Sequence, residues 1–176
     1  FRKGLHGLRD GLAVANTPTA KASSAALGLV ELAGRAVTAQ PSIAPVTGRP
    51  SVWWDVAIHL WYEDGRNNGE WRQVAARHGG DIGVVEFVDD TGRIPVWLKG
   101  ADLLLEAQVW ESRKDALPSP GTRLLDELGF PWSGNQRIRV SETCLEANGT
   151  VYVIGTLDER RNLPAPGDTG TIERFM

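Results

Sequence analysis

The sequence predicts a mainly β protein, a small closed or partly open antiparallel β-barrel with one short helix and an N-terminal helical or extended segment. Three observations predict this fold class. Several short segments alternate apolar and polar residues with a period of two. Turn-forming Gly, Asn and Asp residues separate these segments. One later segment has the leucine spacing and the bounding residues of a helix.

Residues 1–26 are predicted to be an N-terminal helix and a linker. Leu5, Leu8 and Leu12 have helical spacing. The following stretch is rich in Thr, Ser, Ala and Pro without an apolar period, which is typical of an extended linker. We therefore expect the β domain to cover residues 27–159, followed by a tail over 160–176.

The first predicted strand covers residues 27–37, where glycines flank the apolar part. Such glycines suit a strand that bends at a barrel corner or lies close to another backbone. Residues 41–50 contain three prolines, which exclude a helix or a central strand and predict a loop.

Residues 51–64 hold three of the seven tryptophans of the chain. Their side chains follow a period of two, so that one face of the predicted strand is almost wholly apolar. Trp54 lies in phase with Val56 and Ile58, so we expect it in the core. Trp53 and Trp61 lie on the other strand face together with charged residues. For these two rings the pattern leaves both a structural and a binding role open.

The remaining elements follow from the same patterns. We expect a first hairpin over 51–78 that turns in residues 64–70 and returns over 71–78, and a second hairpin that turns at Asp89–Gly92. A strand rather than a helix is expected over 101–113. A helix is predicted between Thr122, its N-cap, and Gly129, its end. Two further strands are expected on either side of a turn at Asn148 and Gly149. Together these elements favour a five- to seven-stranded barrel of the oligonucleotide-binding type, with a two-sheet sandwich as the alternative.

Composition argues against several classes of function. The net charge of -3 disfavours broad electrostatic binding to nucleic acid. Cys144 is the single cysteine, so neither an intrachain disulfide nor a thiolate metal cluster can form. No apolar window of about twenty residues suits a membrane span. Basic residues near position 1 are typical either of a segment beside a membrane or of a solvated helix.

We identify no catalytic or metal site in the sequence, and no cofactor or small-molecule substrate is expected. The three histidines have no ligand spacing, and His59 is interpreted as a partly exposed strand residue. Asp89 and Asp90 are interpreted as turn residues that bond to the backbone, rather than as catalytic carboxylates of the aspartic-protease kind. Ser133 lacks a nucleophile elbow, and Cys144 is interpreted as a small buried apolar residue.

A set of motifs in order along residues 16–159 resembles the GIDE domain, also called the BAM (Beside-A-Membrane) domain. That domain lies between two membrane helices in a mitochondrial RING-type E3 ubiquitin ligase, and it occurs in many prokaryotic membrane proteins. The motifs are a Thr-Pro-Thr start, a glycine-flanked strand, a Pro-x-x-Gly-x-Pro loop before two aromatic residues, an Asp-Asp-x-Gly turn, an Arg-x-x-Glu stretch and a glycine-flanked last strand. The residues that match them are Thr17, Pro18, Thr19, Gly28, Gly34, Pro45, Gly48, Pro50, Asp89, Asp90, Gly92, Arg139, Glu142, Gly149 and Gly155.

The resemblance implies a noncatalytic, membrane-associated interaction or sensing domain that binds a protein partner and contacts a membrane surface. Two departures are that Ser51 stands where Cys is frequent and that Trp53-Trp54 replaces Trp-Tyr. Ligase activity would require a RING outside this chain, since one cysteine and three histidines cannot supply its eight ligands. The alternative is an oligonucleotide- or saccharide-binding module that stacks ligands on its rings. The candidate interaction surface comprises Trp53, Trp61, Pro45, Gly48 and Pro50.

Overall fold

The computed structural model describes residues 18–63, 69–80, 83–99, 101–112, 119–129 and 136–159. Within these ranges the protein is mainly β with one α-helix, and it has a strongly curled, half-barrel sheet. The predicted fold class is therefore confirmed as a partly open barrel. The described residues form two compact units, one from 18–38, 83–99 and 148–159 and the other from the remaining ranges.

Ten strands and one helix make up the two units, together with a 3₁₀ turn at Ala22–Ser24. The strands are β1 (Thr19–Ala20), β2 (Gly28–Val37), β3 (Ser42–Ile43), β4 (Pro50–Glu63), β5 (Gly69–Gly80), β6 (Val84–Val88), β7 (Arg93–Trp97), β8 (Gln108–Ser112), β9 (Ile138–Glu146) and β10 (Thr150–Leu157). The helix α1 is Ser119–Glu127.

The sheet of the first unit is built around β2. β10 pairs antiparallel with residues 28–35 of β2, while β1 and β6 pair with it at 31–32 and 35–37. β7 then pairs with β6. The core of this unit contains Val30, Leu32, Phe87 and Ile94. Gly34 allows its strand to lie close to Phe87, because a Cβ at this position would be 2.5 Å from the ring and from the Val88 carbonyl oxygen.

The sheet of the second unit is built around β4, which pairs antiparallel with β5 on one side and with β9 on the other. β8 extends the sheet beyond β9, and β3 pairs with the start of β4. One face of β4 is buried against Leu124 and Leu125 of α1 and against Ile138 and Val140 of β9. The periodicity prediction for this strand is thus confirmed from Val52 to Leu60, whereas Tyr62 at the strand end is 39% exposed.

Trp54 lies in the core of the second unit, as predicted, with only 6% of its surface exposed. Its indole N–H donates to the Ser42 hydroxyl over 2.9 Å. The ring lies directly over Gly79, its ladder neighbour on β5, and a side chain at position 79 would overlap the indole. The Trp54 ring thus occupies the space that a side chain at position 79 would need.

Several local predictions differ from the structure. α1 begins at Ser119, so Thr122 lies within the helix rather than at its N-cap, although Gly129 ends it with a φ of 62° as predicted. Of the strand expected over 101–113, Gln108–Ser112 forms, whereas residues 101–107 pair with no strand and residue 113 lies outside the described residues. The loop over 41–50 includes the two-residue strand β3 and the first residue of β4.

The segment predicted as a linker has local structure: β1 and the 3₁₀ turn lie at 19–24. The domain limits at 26/27 and 159/160 stay a prediction. The predicted helix over 1–15, residues 64–68 of the first predicted turn, Ser133 and the tail over 160–176 lie outside the described residues.

Candidate functional site

The face of β4 that points away from its core carries the two ambiguous tryptophans. Trp53 and Trp61 are both half-buried. Trp61 lies eight positions after Trp53 along the extended strand, which places the two residues roughly 25 Å apart. Trp53 pairs with Gly80 and Leu145, while Trp61 pairs with Trp71. The two rings therefore belong to different ends of the same sheet face.

Trp61 is the centre of a cluster of rings and guanidinium groups. Its ring lies 5.3 Å from that of Trp71 at an interplanar angle of 65°, an edge-to-face geometry that aromatic pairs favour. The Arg137 guanidinium lies 5.0 Å from the Trp61 ring, and that of Arg139 lies 4.2 Å from the Trp71 ring. We call Trp61, Trp71, Arg137 and Arg139 the Trp–Arg face.

Two neighbouring residues, Gly69 and Glu111, hold the side chains of the Trp–Arg face in place. Gly69 leaves the room that the Trp61 indole occupies, because a Cβ on this glycine would overlap the ring. Glu111 on β8 accepts hydrogen bonds from Arg137 over 2.5 Å and from Arg139 over 2.9 Å. These bonds, that from Arg139 first, hold the pKa of Glu111 below its ordinary value. The two arginines are therefore pre-positioned by a carboxylate that stays ionised at neutral pH.

Two buried polar atoms adjoin this face. His59 pairs with Arg139 in the ladder of β4 and β9. Among the described residues, His59 Nδ1 and Arg139 Nε are buried without a hydrogen-bond partner. Native proteins usually satisfy such atoms through protein, water or ligand. The arrangement can stack apolar or planar groups and can donate to an acceptor.

The other residues of the candidate surface lie elsewhere in the second unit. Ala44 and Val46, which flank Pro45, are buried in the core together with Trp54. Since Trp53 and Trp61 alternate with Trp54, the loop with Pro45, Gly48 and Pro50 packs on the opposite side of β4. The structure thus does not join this loop to the Trp–Arg face.

Glu142 explains how that loop is held. Its side chain is 1% exposed, and its carboxylate accepts hydrogen bonds from the backbone N–H groups of Val46 over 2.7 Å and Thr47 over 3.0 Å. The loop closes on itself through Gly48, whose N–H donates to the Ala44 carbonyl and whose φ is 72°. Glycine is suited to this backbone conformation. Glu142 is therefore a structural anchor of the proline-flanked loop.

Asp89 has the equivalent role in the first unit. One carboxylate oxygen accepts from the N–H of Thr91 over 2.7 Å and of Gly92 over 3.0 Å, which confirms the predicted turn chemistry. The other oxygen accepts from the Ala22 N–H over 2.8 Å. These bonds, that from Ala22 first, hold the pKa of Asp89 well below its ordinary value. Asp90 adds an ion pair of 2.6 Å with Lys21.

The remaining motif residues take part in backbone geometry. Gly28 has a φ of 114° at the start of β2. The Gly149 carbonyl accepts from the Ala36 N–H, and Asn148 with a φ of 63° donates to the Ala36 carbonyl, which confirms the predicted turn. Gly155 has open space where a Cβ would be.

Cys144 is partly buried beside a cavity of about 380 Å³ that Arg49, Gln108 and Glu142 also line. Burial raises the pKa of the Cys144 thiol. The group is therefore mainly an uncharged thiol at neutral pH, which is the less reactive form.

The Trp–Arg face was only partly predictable. Trp61 was singled out by its strand face and Arg139 as a residue of the Arg-x-x-Glu stretch, whereas Arg137 and Trp71 were not singled out. The expected hairpin accounts for Trp71 lying across from Trp61, but no local pattern predicts that β9 pairs with the other side of β4 and adds the arginines.

In the described ranges, no group of three or more His, Cys, Asp and Glu residues is placed to hold a metal ion. No helix within those ranges has the length and apolar character of a membrane span. No protein-family model, curated protein or solved structure matches this chain.

Proposed function

We propose that the chain is a noncatalytic interaction or sensing module that acts beside a membrane and binds a protein partner through the Trp–Arg face. The observation that carries the proposal is the edge-to-face pair of Trp61 and Trp71 beneath two guanidinium groups. Trp and Arg are the residue types most enriched among the energetically dominant contacts of protein interfaces.

The geometry also favours binding on entropic grounds. An interface loses about 0.5–1.5 kcal/mol for each flexible side chain that it immobilises. Here Gly69 and Trp71 restrain the Trp61 ring, and Glu111 restrains both arginines before any partner arrives. Much of that ordering cost is therefore already met in the free protein.

The proposed position beside a membrane is supported by the resemblance of residues 16–159 to the GIDE or BAM domain. Two residues of that motif set have structural roles: Glu142 holds the proline-flanked loop, and Asp89 holds the segment at 19–24. The proposal requires an anchor or a membrane-bound partner.

Substitution of Trp71 by alanine tests the proposal. The control is Arg93→Ala, which removes an exposed arginine that pairs with Glu86 in the other unit. Each of the three proteins, wild type and the two variants, is immobilised and exposed to detergent-solubilised membranes. We expect a protein that is retained by wild type and by Arg93→Ala but lost with Trp71→Ala. Equal retention by all three chains, with unchanged circular dichroism, contradicts a role for the face.

The same rings give the alternative function a specific basis, because half-buried tryptophans beside arginines also stack on nucleobases and sugars. Titration with a thymidine oligonucleotide and with a mixed-linkage oligosaccharide, followed by tryptophan fluorescence, separates the two proposals. Saturable quenching that Trp71→Ala removes favours the alternative. Against it stand the net charge of -3 and the pairing of both arginines with Glu111.

A further inference from the structure

Strand β10 lies at one edge of the first unit's sheet, as far as the described residues form it. Its residues 150–157 pair with β2 in a continuous antiparallel ladder. β1 and β6 pair with β2 at residues 31–32 and 35–37, which overlap the β10 register and therefore lie on the opposite side of β2. No strand among the described residues pairs with the other side of β10. An edge of this kind presents backbone donors and acceptors to a further strand.

The other edge strands of five or more residues carry features that discourage such pairing. β7 contains Arg93 and Pro95. β5 bears several charged residues and a register shift opposite Ile58 and His59. β8 is only five residues long and contains Glu111. Charges, proline, irregular pairing and short length are the devices by which native sheets protect their edges.

β10 has none of these devices. Its sequence, TVYVIGTL, contains no charged residue and no proline over eight residues, and its ladder with β2 is regular. Tyr152 is 73% exposed and Ile154 is 42% exposed, both on the same face of the strand. Leu29 of β2, 55% exposed, lies opposite Thr156 on the same face, while Glu31 lies opposite Ile154. Exposed apolar side chains on an edge strand without protecting features favour pairing with another chain.

We propose that two copies of this chain associate through β10, edge to edge and antiparallel, about a two-fold axis at Val153. In that register Tyr152 of one copy lies opposite Ile154 of the other, and Thr150 lies opposite Thr156. Aromatic with β-branched and Thr with Thr are favourable cross-strand pairs. Because the strand is uncharged, no like charges oppose one another across the axis.

The self-complementary pattern favours a second copy over a foreign strand as the occupant. A two-fold contact uses the same edge of each chain and closes on itself, so it gives a dimer rather than a filament. One strand pair with few side chains buries less than the roughly 1,200–2,000 Å² of stable complexes. The dimer is therefore reversible, with a dissociation constant in the micromolar range or weaker.

Sedimentation velocity over roughly 1 µM to 1 mM tests the association. Tyr152→Lys places a charge on the β10 edge at an exposed position, so the fold is not at risk. The control is Val109→Lys, which changes an accessible apolar residue on the β8 edge. We expect wild type and Val109→Lys to dimerise with rising concentration, and Tyr152→Lys to dimerise at least about tenfold more weakly. A wild-type chain that stays monomeric throughout, or equal effects of both lysines, overturns the proposal.

Disulfide trapping tests the register. Chains with Tyr152→Cys are mixed with chains with Ile154→Cys, both carrying Cys144→Ala so that the introduced thiols alone react. Residues directly opposite in an antiparallel pair have Cα atoms about 4.5–5.5 Å apart, within disulfide range. Two cysteines introduced at position 152 of both copies would be offset along the strands and lie farther apart. We expect the mixed disulfide to exceed clearly the half of all disulfides that random pairing would give. Like-with-like dimers that together make up half or more of the disulfides would refute the register about Val153.

Discussion

Replacing Glu142 with glutamine is the sharpest test of how the proline-flanked loop is held. The carboxylate is 1% exposed and accepts two backbone hydrogen bonds, from Val46 and Thr47. Glutamine keeps the shape of the side chain. It offers only one oxygen, however, and it turns an N–H₂ group toward a backbone donor.

The size of the effect follows from these two bonds. Hydrogen bonds to a charged group contribute about 1.5–3 kcal/mol each, and a buried donor left without a partner costs about 1–3 kcal/mol. Glutamine loses one bond and weakens the other, so we expect the free energy of unfolding to fall by about 2–4 kcal/mol. That is a large fraction of the roughly 5–15 kcal/mol of a typical domain.

Urea denaturation measures this change, with Glu146→Gln as the control. Glu146 is on the same strand, but its side chain is 46% exposed and pairs with Arg49 at the surface, so its loss should cost less than about 1 kcal/mol. Hydrogen exchange of the Val46 and Thr47 amides should accelerate in Glu142→Gln and not in the control. Equal destabilisation by both substitutions, or unchanged exchange at these amides, would show that Glu142 does not anchor the loop.

Three further outcomes are expected. Asp89→Asn lowers the free energy of unfolding at neutral pH, and its difference from wild type shrinks as the pH falls below 3.8, the ordinary pKa of the group. Because folding lowers the pKa of Asp89, its ionised form contributes fully to stability above that value, and the contribution is lost as the pH falls further. Urea midpoints measured at a series of acid pH values test this, and a difference that stays constant with pH would contradict it. Gly34→Ala lowers the free energy of unfolding by about 1–3 kcal/mol, because the new methyl group overlaps Phe87. Gly155→Ala is nearly neutral, because its methyl group meets open space. Thermal unfolding at low protein concentration compares the two variants, and equal melting temperatures would refute the overlap. Cys144 in the folded chain reacts with iodoacetamide more slowly than free cysteine, because burial raises the pKa of its thiol. The reaction becomes faster when urea unfolds the chain. A rate in the folded chain equal to that of free cysteine would contradict this prediction.

Local periodicity predicted the parts of the fold that depend on one strand at a time. The alternation from Val52 to Leu60 predicted which face of β4 is buried, and it placed Trp54 in the core. The Asp89 turn was predictable because its carboxylate bonds to backbone groups two and three residues later. In both cases the physical cause lies within a few neighbouring residues.

The features that sequence reasoning missed depend on distant partners. The Trp–Arg face arises because β9 pairs with the side of β4 opposite β5, which places Arg139 and the nearby Arg137 beside the two tryptophans. The expected hairpin accounts for Trp71 lying across from Trp61, but no local pattern predicts that β9 is the next strand. Likewise, the turn at Asn148 predicts a reversal of the chain, but not that β9 and β10 belong to different sheets.

The start of α1 and the length of β8 were wrong for a related reason. Thr122 has the chemistry of an N-cap, yet the helix begins at Ser119, so the cap preference of one residue did not set the boundary. Apolar residues at 103–105 suited a strand, but only residues from Gln108 have a ladder partner in β9. Propensity proposes an element, and pairing decides its extent.

The seating of Trp54 against Gly79 ties the evolutionary freedom of two positions together. Homologues that acquire a side chain at 79 would have to shrink the indole at 54, and those that shrink the indole would gain from filling 79. Either change alone leaves a collision or a void. These two columns should therefore change in concert when relatives of this chain are aligned, and a joint exchange would preserve the interior volume of the second unit.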